Sequence, residues 1–396
     1  MKYVIILPDG AADDSPLTEL AGRTPLEAAR IPHMDWVAEQ GVLGRVLTVP
    51  EGFTSGTDVA TLCLFGYDPH RYYSGRAPIE AVAKGLQARP DQLIFRCNFV
   101  TIVDGCMRDF TAGHIPQAEA DALIAALDGE LGAEGCAFYA GVSYRNLMFA
   151  SNAADMKLRC QPPHDIPDQP VAGHWPKGEG AERVMAIMQR AERVIADHPV
   201  NRRRQAQGRA PVTNIWLWGQ GRPVTLESFA SRFGLQGAVI TGVDIVRGIG
   251  LGMGMKLIPV KGATGYIDTD YAAKGRAAVA AIAEFDVTVV HVEAADEAGH
   301  LGNAAEKVTA LERIDSDIVG PVLERLRRES SWRILVAPDH PTPVSTKSHS
   351  PVPPPFCYAG TAVEPASGRP FTEKNAIAAG VFVDPGTELI ERFVRA

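Results

Sequence analysis

Short β-rich runs alternate with helical patterns at both ends of this chain of 396 residues, and that alternation predicts a parallel sheet flanked by helices. A strand is expected over Val4–Leu7, followed by an amphipathic stretch from Thr24 to Gln40. After the loop Glu51–Gly56, the segment TDVATLCLFGYDP reads as a helix started by Thr57 and Asp58 and stopped by Gly66 and Pro69. From Gly237 the rhythm resumes through GAVITG, VDIVRGIG, KLIPV, a helix over Tyr271–Phe285 and VTVVHVE. A long helix from Ala304 to about Glu329, the strand RILVAPDH, a Pro-rich loop, VFVD and a helical ELIERFVRA complete it.

The middle of the chain has another character. LIFRCNFVTIVDGCMRDF carries β-rich flanks around Asp104-Gly105, a pair that favours a type I′ hairpin turn. A second β pair is expected in CAFYAGVSYRNLMFA, with a helix from Gln117 to Leu131 between the two pairs. A helix over Ala181–Asp197 and an apolar strand Ile215–Trp218 follow. Residues 78–232 therefore read as an inserted α+β domain, and residues 1–77 and 233–396 as one discontinuous α/β domain. At 46% hydrophobic residues the chain can bury cores of that size.

The net charge of −8 argues against electrostatic binding to nucleic acid or to an anionic membrane. MKYVIILPDG has too short an apolar run for a signal peptide, and no run approaches the roughly 20 residues of a membrane helix. Six cysteines without a CxxC pair read as reduced thiols. A soluble cytoplasmic protein is expected, with homo-oligomerisation left open. The basic run Arg202, Arg203 and Arg204 reads as a solvated face.

Chemistry is suggested by where Asp and His fall relative to the expected strands. Asp9 closes the first. Asp296 and His300, four residues apart, follow the strand ending near Glu293 and would share one face of a helical turn. Asp339 and His340 end RILVAP, and His349 lies in the loop beyond. Ligands of open α/β sheets bind outside the carboxyl ends of the strands, which would gather all six residues at one edge. That set suits two neighbouring divalent sites of mixed oxygen and nitrogen character, such as Mn²⁺ or Zn²⁺. Two such ions can bracket an in-line displacement at phosphorus. Thr57, opening a helix after TSG, is the candidate nucleophile, with Ser55 its local competitor. On position alone Thr57 would be an ordinary N-cap.

Several phrases resemble a known family. MKYVIILPDGAAD, GTDVATLCLFGYDP with SGRAPIEA, HVEAADEAGH, and APDHPTP with SHSPVPPPF are similar to the archaeal-type cofactor-independent phosphoglycerate mutases of the alkaline phosphatase superfamily. The likeness continues through FRCNFVTI, TAGHI, GVSYRNL and PPHDIP. It implies an alkaline-phosphatase-like, mostly parallel sheet and a cap, residues 78–232, that closes over a small phosphorylated substrate. It also implies two divalent ions (Mn, Zn or Mg), one held by Asp9, Thr57, Asp339 and His340, the other by Asp296, His300 and His349. No 2,3-bisphosphoglycerate or other organic cofactor is implied. Thr57 would take the phosphoryl group of 3-phosphoglycerate, and the reoriented glycerate would take it back on its other hydroxyl. The matching substrate-binding candidates are Arg96, Asn98, His114, Arg145 and His164, with Arg76 and Lys274 behind them. The arginines would clamp carboxylate or phosphate and the histidines would move protons.

The family pattern at the nucleophile is usually Gly-Ser-Asp or Gly-Ser-Glu, where this chain has Gly56-Thr57-Asp58. PDHPTP and CQPPHDIP are closer to bacterial relatives proposed as homoserine kinases. Alternatives to the mutase are therefore a phosphotransferase to another hydroxyl such as homoserine, a phosphomonoester hydrolase, and a silent scaffold that keeps the fold. The sequence holds no GxxxxGK[ST] phosphate loop.

Overall fold

The structure is a computed structural model that describes residues 1–366 and 368–395. The chain divides into two compact units, Met1–Tyr73 with Thr225–Ala396, and Ser74–Val224. Ala396, the end of the expected terminal helix, lies outside the described residues.

Among the described residues of the first unit, eight strands form one sheet. Their order is Lys256–Leu257, Gly237–Ile240, Val287–Val292, Lys2–Pro8, Trp332–Val336, Pro355–Gly360, Val42–Val46 and Phe382–Val383. Neighbours run parallel except around Pro355–Gly360, which is antiparallel to both strands beside it. The central sequences KYVIILP and VTVVHV are almost wholly buried, as strands covered by helices on both faces require. Val4, Ile6, Val290, Val292, Ile334 and Val336 share a core with Met34, Val37, Leu311, Ile314 and Leu323 of the covering helices.

Proline divides the expected stretch Thr24–Gln40 into the helices Pro25–Ala28 and Pro32–Glu39. Pro32 has no N–H for the preceding turn and forces Ile31 out of helical conformation. Thr24 and Glu27 cap the first helix reciprocally, each side chain accepting from the other's backbone N–H. The long helix expected over Ala304–Glu329 is interrupted. Ala304–Ile314 passes through a π turn, Asp315–Val319, into Gly320–Leu326. Pro321 supplies no N–H to the carbonyl of Asp317, so the ladder widens there. The strand Pro355–Gly360 was not expected, because SHSPVPPPF reads as a loop. Its prolines precede or open the paired segment, where no ladder donor is lost.

The second unit is an antiparallel sheet. Leu93–Val103 pairs with Cys106–Asp109, Arg145–Ala150 and Asn214–Gly221, and Arg145–Ala150 pairs with Cys136–Val142. Asp104 and Gly105 both have positive φ, 50° and 72°, as a type I′ turn demands. The helices Gln117–Leu131 and Ala181–Ala196 cover the sheet, packing Leu123, Leu127, Met188 and Ile195 against Phe95 and Phe99. The Arg202–Arg204 run is not a uniform solvated face. Helical register turns Arg204 inward, where it donates to Glu119 Oε2 and to the carbonyl of Ala112, both at 2.7 Å.

Candidate metal centre

Three neighbouring parallel strands deliver the acidic residues. Lys2–Pro8 lies between Val287–Val292 and Trp332–Val336, so the carboxyl ends of all three open at one edge. Asp9 follows the first strand directly and donates its N–H to Val292 O at 3.0 Å. Asp296 and His300 project from the helix Ala294–Leu301, and Asp339 and His340 lie just beyond Val336. Gly10, with φ +59°, permits the closeness: a Cβ there would stand 2.6 Å from both Cα and Oδ1 of Asp296.

The donor atoms fall into groups that could each hold a metal ion. In one, Asp9, Asp339 and His340 bring single donor atoms within 4.8 Å of one another; in a second, Asp296, His300 and His349 do the same. His340 Nε2 is 3.2 Å from Asp339 Oδ2 and 3.6 Å from Asp9 Oδ1. Asp296 Oδ2 is 3.2 Å from His300 Nε2, and its Oδ1 is 3.4 Å from His349 Nε2. A third group, Asp9, His291 and Glu293, shares Asp9.

The donor chemistry fits cations. His300 Nδ1 faces Lys347 O at 3.0 Å and His349 Nδ1 faces Ser55 O at 3.1 Å, so in the neutral rings each Nε2 turns a lone pair inward. Thr342 Oγ1 donates to Asp296 Oδ1 and lies 3.3 Å from His340 Nδ1, which fixes the third ring the same way. Among the described residues, the buried Asp9 Oδ1 and Asp339 Oδ2 have no hydrogen-bond partner. Such orphaned carboxylate oxygens carry a large desolvation penalty unless a cation meets them.

The electrostatics say the same. Burial, with the charges of Asp339 and Asp296, pushes Asp9 well above the usual carboxylate range. Burial and Asp9 do likewise to Glu293. Asp296 goes the other way: against its burial, hydrogen bonds from His300 and His349 hold it well below its ordinary value. Those bonds raise His300 to about 9. Burial lowers His340 and His291.

Thr57 is the first residue of the buried helix Thr57–Leu64 and is not its cap. Gly56 occupies that position without a side-chain cap, which leaves the Thr57 hydroxyl available. Thr57 Oγ1 donates to Asp9 Oδ2 at 3.3 Å and lies 3.4 Å from His340 Nε2. The rival hydroxyl, Ser55 Oγ, donates instead to Ser350 O at 3.0 Å.

In the second unit, cross-strand register sets Arg96 opposite Trp218 and Asn98 opposite Arg145. The Arg96 guanidinium lies 4.2 Å over the Trp218 ring and pairs with Glu80 at 3.1 Å, which Arg76 also approaches at 3.5 Å. Trp218 Nε1 donates to Asn98 Oδ1, and the His164 ring stands 5.1 Å from Trp218. Arg145 donates to Tyr144 Oη, whose ring is 5.9 Å from His114. Burial and the neighbouring cations bring Arg96 down to about 10. Lys274, in the first unit, is buried and donates to His291 O at 3.2 Å.

Residues 38–201 match a family model described as 2,3-bisphosphoglycerate-independent phosphoglycerate mutase. A mutase of that description from Methanothrix thermoacetophila is 45% identical, with all of both chains covered. The chain belongs to the 2,3-bisphosphoglycerate-independent phosphoglycerate mutase family. A second relative so named, from Methanothermobacter thermautotrophicus, is 47% identical over 94% of this chain and 92% of its own. A solved structure from Pyrococcus horikoshii superposes with a TM-score of 0.84 at 27% identity, covering all of this chain and 96% of that one.

Three further residues stand at the centre: His291, Glu293 and Thr342. His291 and Glu293 sit in and just after VTVVHVE, where an in-strand histidine reads as core. Thr342, in PDHPTP, reads as a turn residue. The available signal was that His291 and Glu293 occupy the carboxyl end of a central strand.

Proposed function

We propose that this enzyme interconverts 3-phosphoglycerate and 2-phosphoglycerate through phospho-Thr57. Asp9, Thr57, Asp339 and His340 would hold one divalent ion and Asp296, His300 and His349 a second, with Mn²⁺, Zn²⁺ and Mg²⁺ the candidates. Such ions supply charge stabilisation for an in-line displacement and lower the pKa of the hydroxyl they bind. Thr57 Oγ attacks phosphorus along the line of the bond to the glycerate oxygen and gives up its proton, for which Asp9 is the hydrogen-bonded acceptor. The leaving 3-oxygen takes a proton as the phosphoryl group passes to Thr57, with His114 and His164 the candidate donors. Glycerate turns, its 2-hydroxyl returns a proton to that histidine as it attacks phospho-Thr57, and the departing Thr57 oxygen recovers the proton held by Asp9. The first turn of the helix Thr57–Leu64 favours the added negative charge.

The inserted unit is the substrate-binding cap in this reading. Arg96, backed by Trp218 and Glu80, and Arg145 offer planar forks for carboxylate or phosphate, while Asn98, His114 and His164 add polar contacts. We place the enzyme in the cytoplasm, a setting that suits its six free cysteines. The observation that carries the mutase reading is the hydroxyl of Thr57 against Asp9 and His340, inside a centre of unpartnered buried carboxylate oxygens.

³¹P NMR of the Mn²⁺-loaded protein with 3-phosphoglycerate tests it, with ATP and homoserine in parallel samples. Metal-dependent 2-phosphoglycerate with little free phosphate is expected. Phosphohomoserine or inorganic phosphate as the main product would contradict the proposed reaction.

A further inference from the structure

The Asp9 carboxylate makes its hydrogen bonds through one oxygen. His291 Nε2 stands 2.8 Å from Asp9 Oδ2, while Asp9 Oδ1 has no hydrogen-bond partner among the described residues. His291 is fully buried in a central strand, in register with Leu7 of the strand that carries Asp9. Its other ring nitrogen lies 3.2 Å from Thr241 Oγ1, which accepts the N–H of Val243 at 3.0 Å.

The direction of this chain follows from donor counting. With a cation at Asp9 Oδ1 the carboxylate is ionised and only accepts, so His291 Nε2 carries the hydrogen. Nδ1 is then an acceptor, and the Thr241 hydroxyl donates to it while accepting from Val243. Every member has one consistent role.

We propose that His291, ordered by Thr241, is a positioning residue for phosphoryl transfer, tethering Asp9 Oδ2 so that Oδ1 faces the ion held with Asp339 and His340. This rests on the reading above, in which Asp9 is a metal ligand. A nitrogen that carries a hydrogen toward Asp9 is not itself a ligand, although His291 and Glu293 form a ligand-like group with Asp9. The tether comes from a buried strand paired on both sides, whereas Asp9 begins a loop. Outer-sphere partners of this kind typically change metal affinity by 10–100-fold when removed.

The test measures Mn²⁺ affinity and stoichiometry by chelator competition, with kcat, KM and the melting temperature of the metal-free form. The full-length proteins are wild type, His291→Leu, His291→Gln, Thr241→Val and Asp9→Ala. His291→Leu should weaken one ion about 10–100-fold, leave the other unchanged, and lower kcat without raising KM. His291→Gln should restore most of the loss, because its amide N–H can reach the same oxygen. Thr241→Val should act in the same direction but less, and it decides the matter if His291→Leu does not fold. Equal weakening of both ions, or failure of Gln to rescue with a lower melting temperature, would overturn the proposal in favour of a purely structural histidine. Three ions in wild type with one lost in His291→Leu would overturn it in favour of a ligand. If Asp9→Ala binds Mn²⁺ like wild type, the metal assignment itself fails, a result separable from failure of the tether.

Discussion

His300 and His349 turn their Nε2 atoms toward each other at 3.0 Å, and each faces a backbone carbonyl with its other ring nitrogen. Two neutral rings so arranged repel unless a cation lies between them; without metal, protons on these nitrogens are held by the Asp296 carboxylate, 3.2 Å from His300 Nε2 and 3.4 Å from His349 Nε2. His300 is raised to about 9 from an unfolded value near 6.5, and His349 is raised as well. A histidine raised on folding contributes stability that is complete below about 6.5 and is lost as pH rises through the folded value. Asp9, raised on folding, also favours the native state less once pH exceeds the usual carboxylate range. His340 and His291, held neutral by burial, act below pH 6.5. Metal-free protein should therefore lose stability between pH 6.5 and 9, and the rise in melting temperature on adding Mn²⁺ should be larger at pH 8.5 than at pH 6. Calorimetry with EDTA or Mn²⁺ at the two pH values checks this; an equal or smaller rise at pH 8.5 would count against it.

Gly10→Ala should damage both metal groups at once. The added Cβ meets Asp296 at 2.6 Å, and the backbone is in the left-handed region at φ +59°. A cost of about 1–3 kcal/mol for the strained backbone is expected, with weaker binding of every Mn²⁺ ion. Urea unfolding together with metal titration reads both effects.

Lys307 is wholly buried beneath the centre. Its ammonium donates to Ala12 O at 2.9 Å and Thr342 O at 2.8 Å, and lies 3.6 Å from Asp13. It thus ties the segment after Asp9 to the segment after His340. Lys307→Met keeps most of the volume but leaves Asp13 without its cation, a loss of about 3–5 kcal/mol. The urea midpoint should fall with little change in slope.

Arg96→Lys should raise KM for 3-phosphoglycerate roughly 10–100-fold, the equivalent of a charge-assisted hydrogen bond worth about 1.5–3 kcal/mol, and change kcat less. The ammonium keeps the charge but loses the planar fork and the stacking on Trp218. Steady-state kinetics in both directions provides the check.

The convergence of Asp9, Asp296 and Asp339 was legible because each follows a β-rich run at its carboxyl end, and a parallel sheet brings such ends together. Asp9, Asp296 and Asp339 follow three strands that are neighbours in the sheet but far apart in sequence. The strand Pro355–Gly360 was hidden by its prolines, whose position at the start of the pairing no local pattern reveals. His291 was hidden because alternation marks a residue as buried without saying that its ring meets Asp9. Arg204 was hidden by like neighbours, since charge composition does not tell which side of a short helix turns inward.

In the proposed reaction Thr57 carries the phosphoryl group. Acid quenching of Mn²⁺-loaded enzyme in the presence of 3-phosphoglycerate, followed by peptide mapping by mass spectrometry, tests it most directly. Phosphate on Thr57 is predicted, absent from Thr57→Ala, with turnover of that variant reduced on the order of 10⁴-fold or more and its melting temperature little changed. Phosphate on Ser55, or full turnover by Thr57→Ala, would contradict the account.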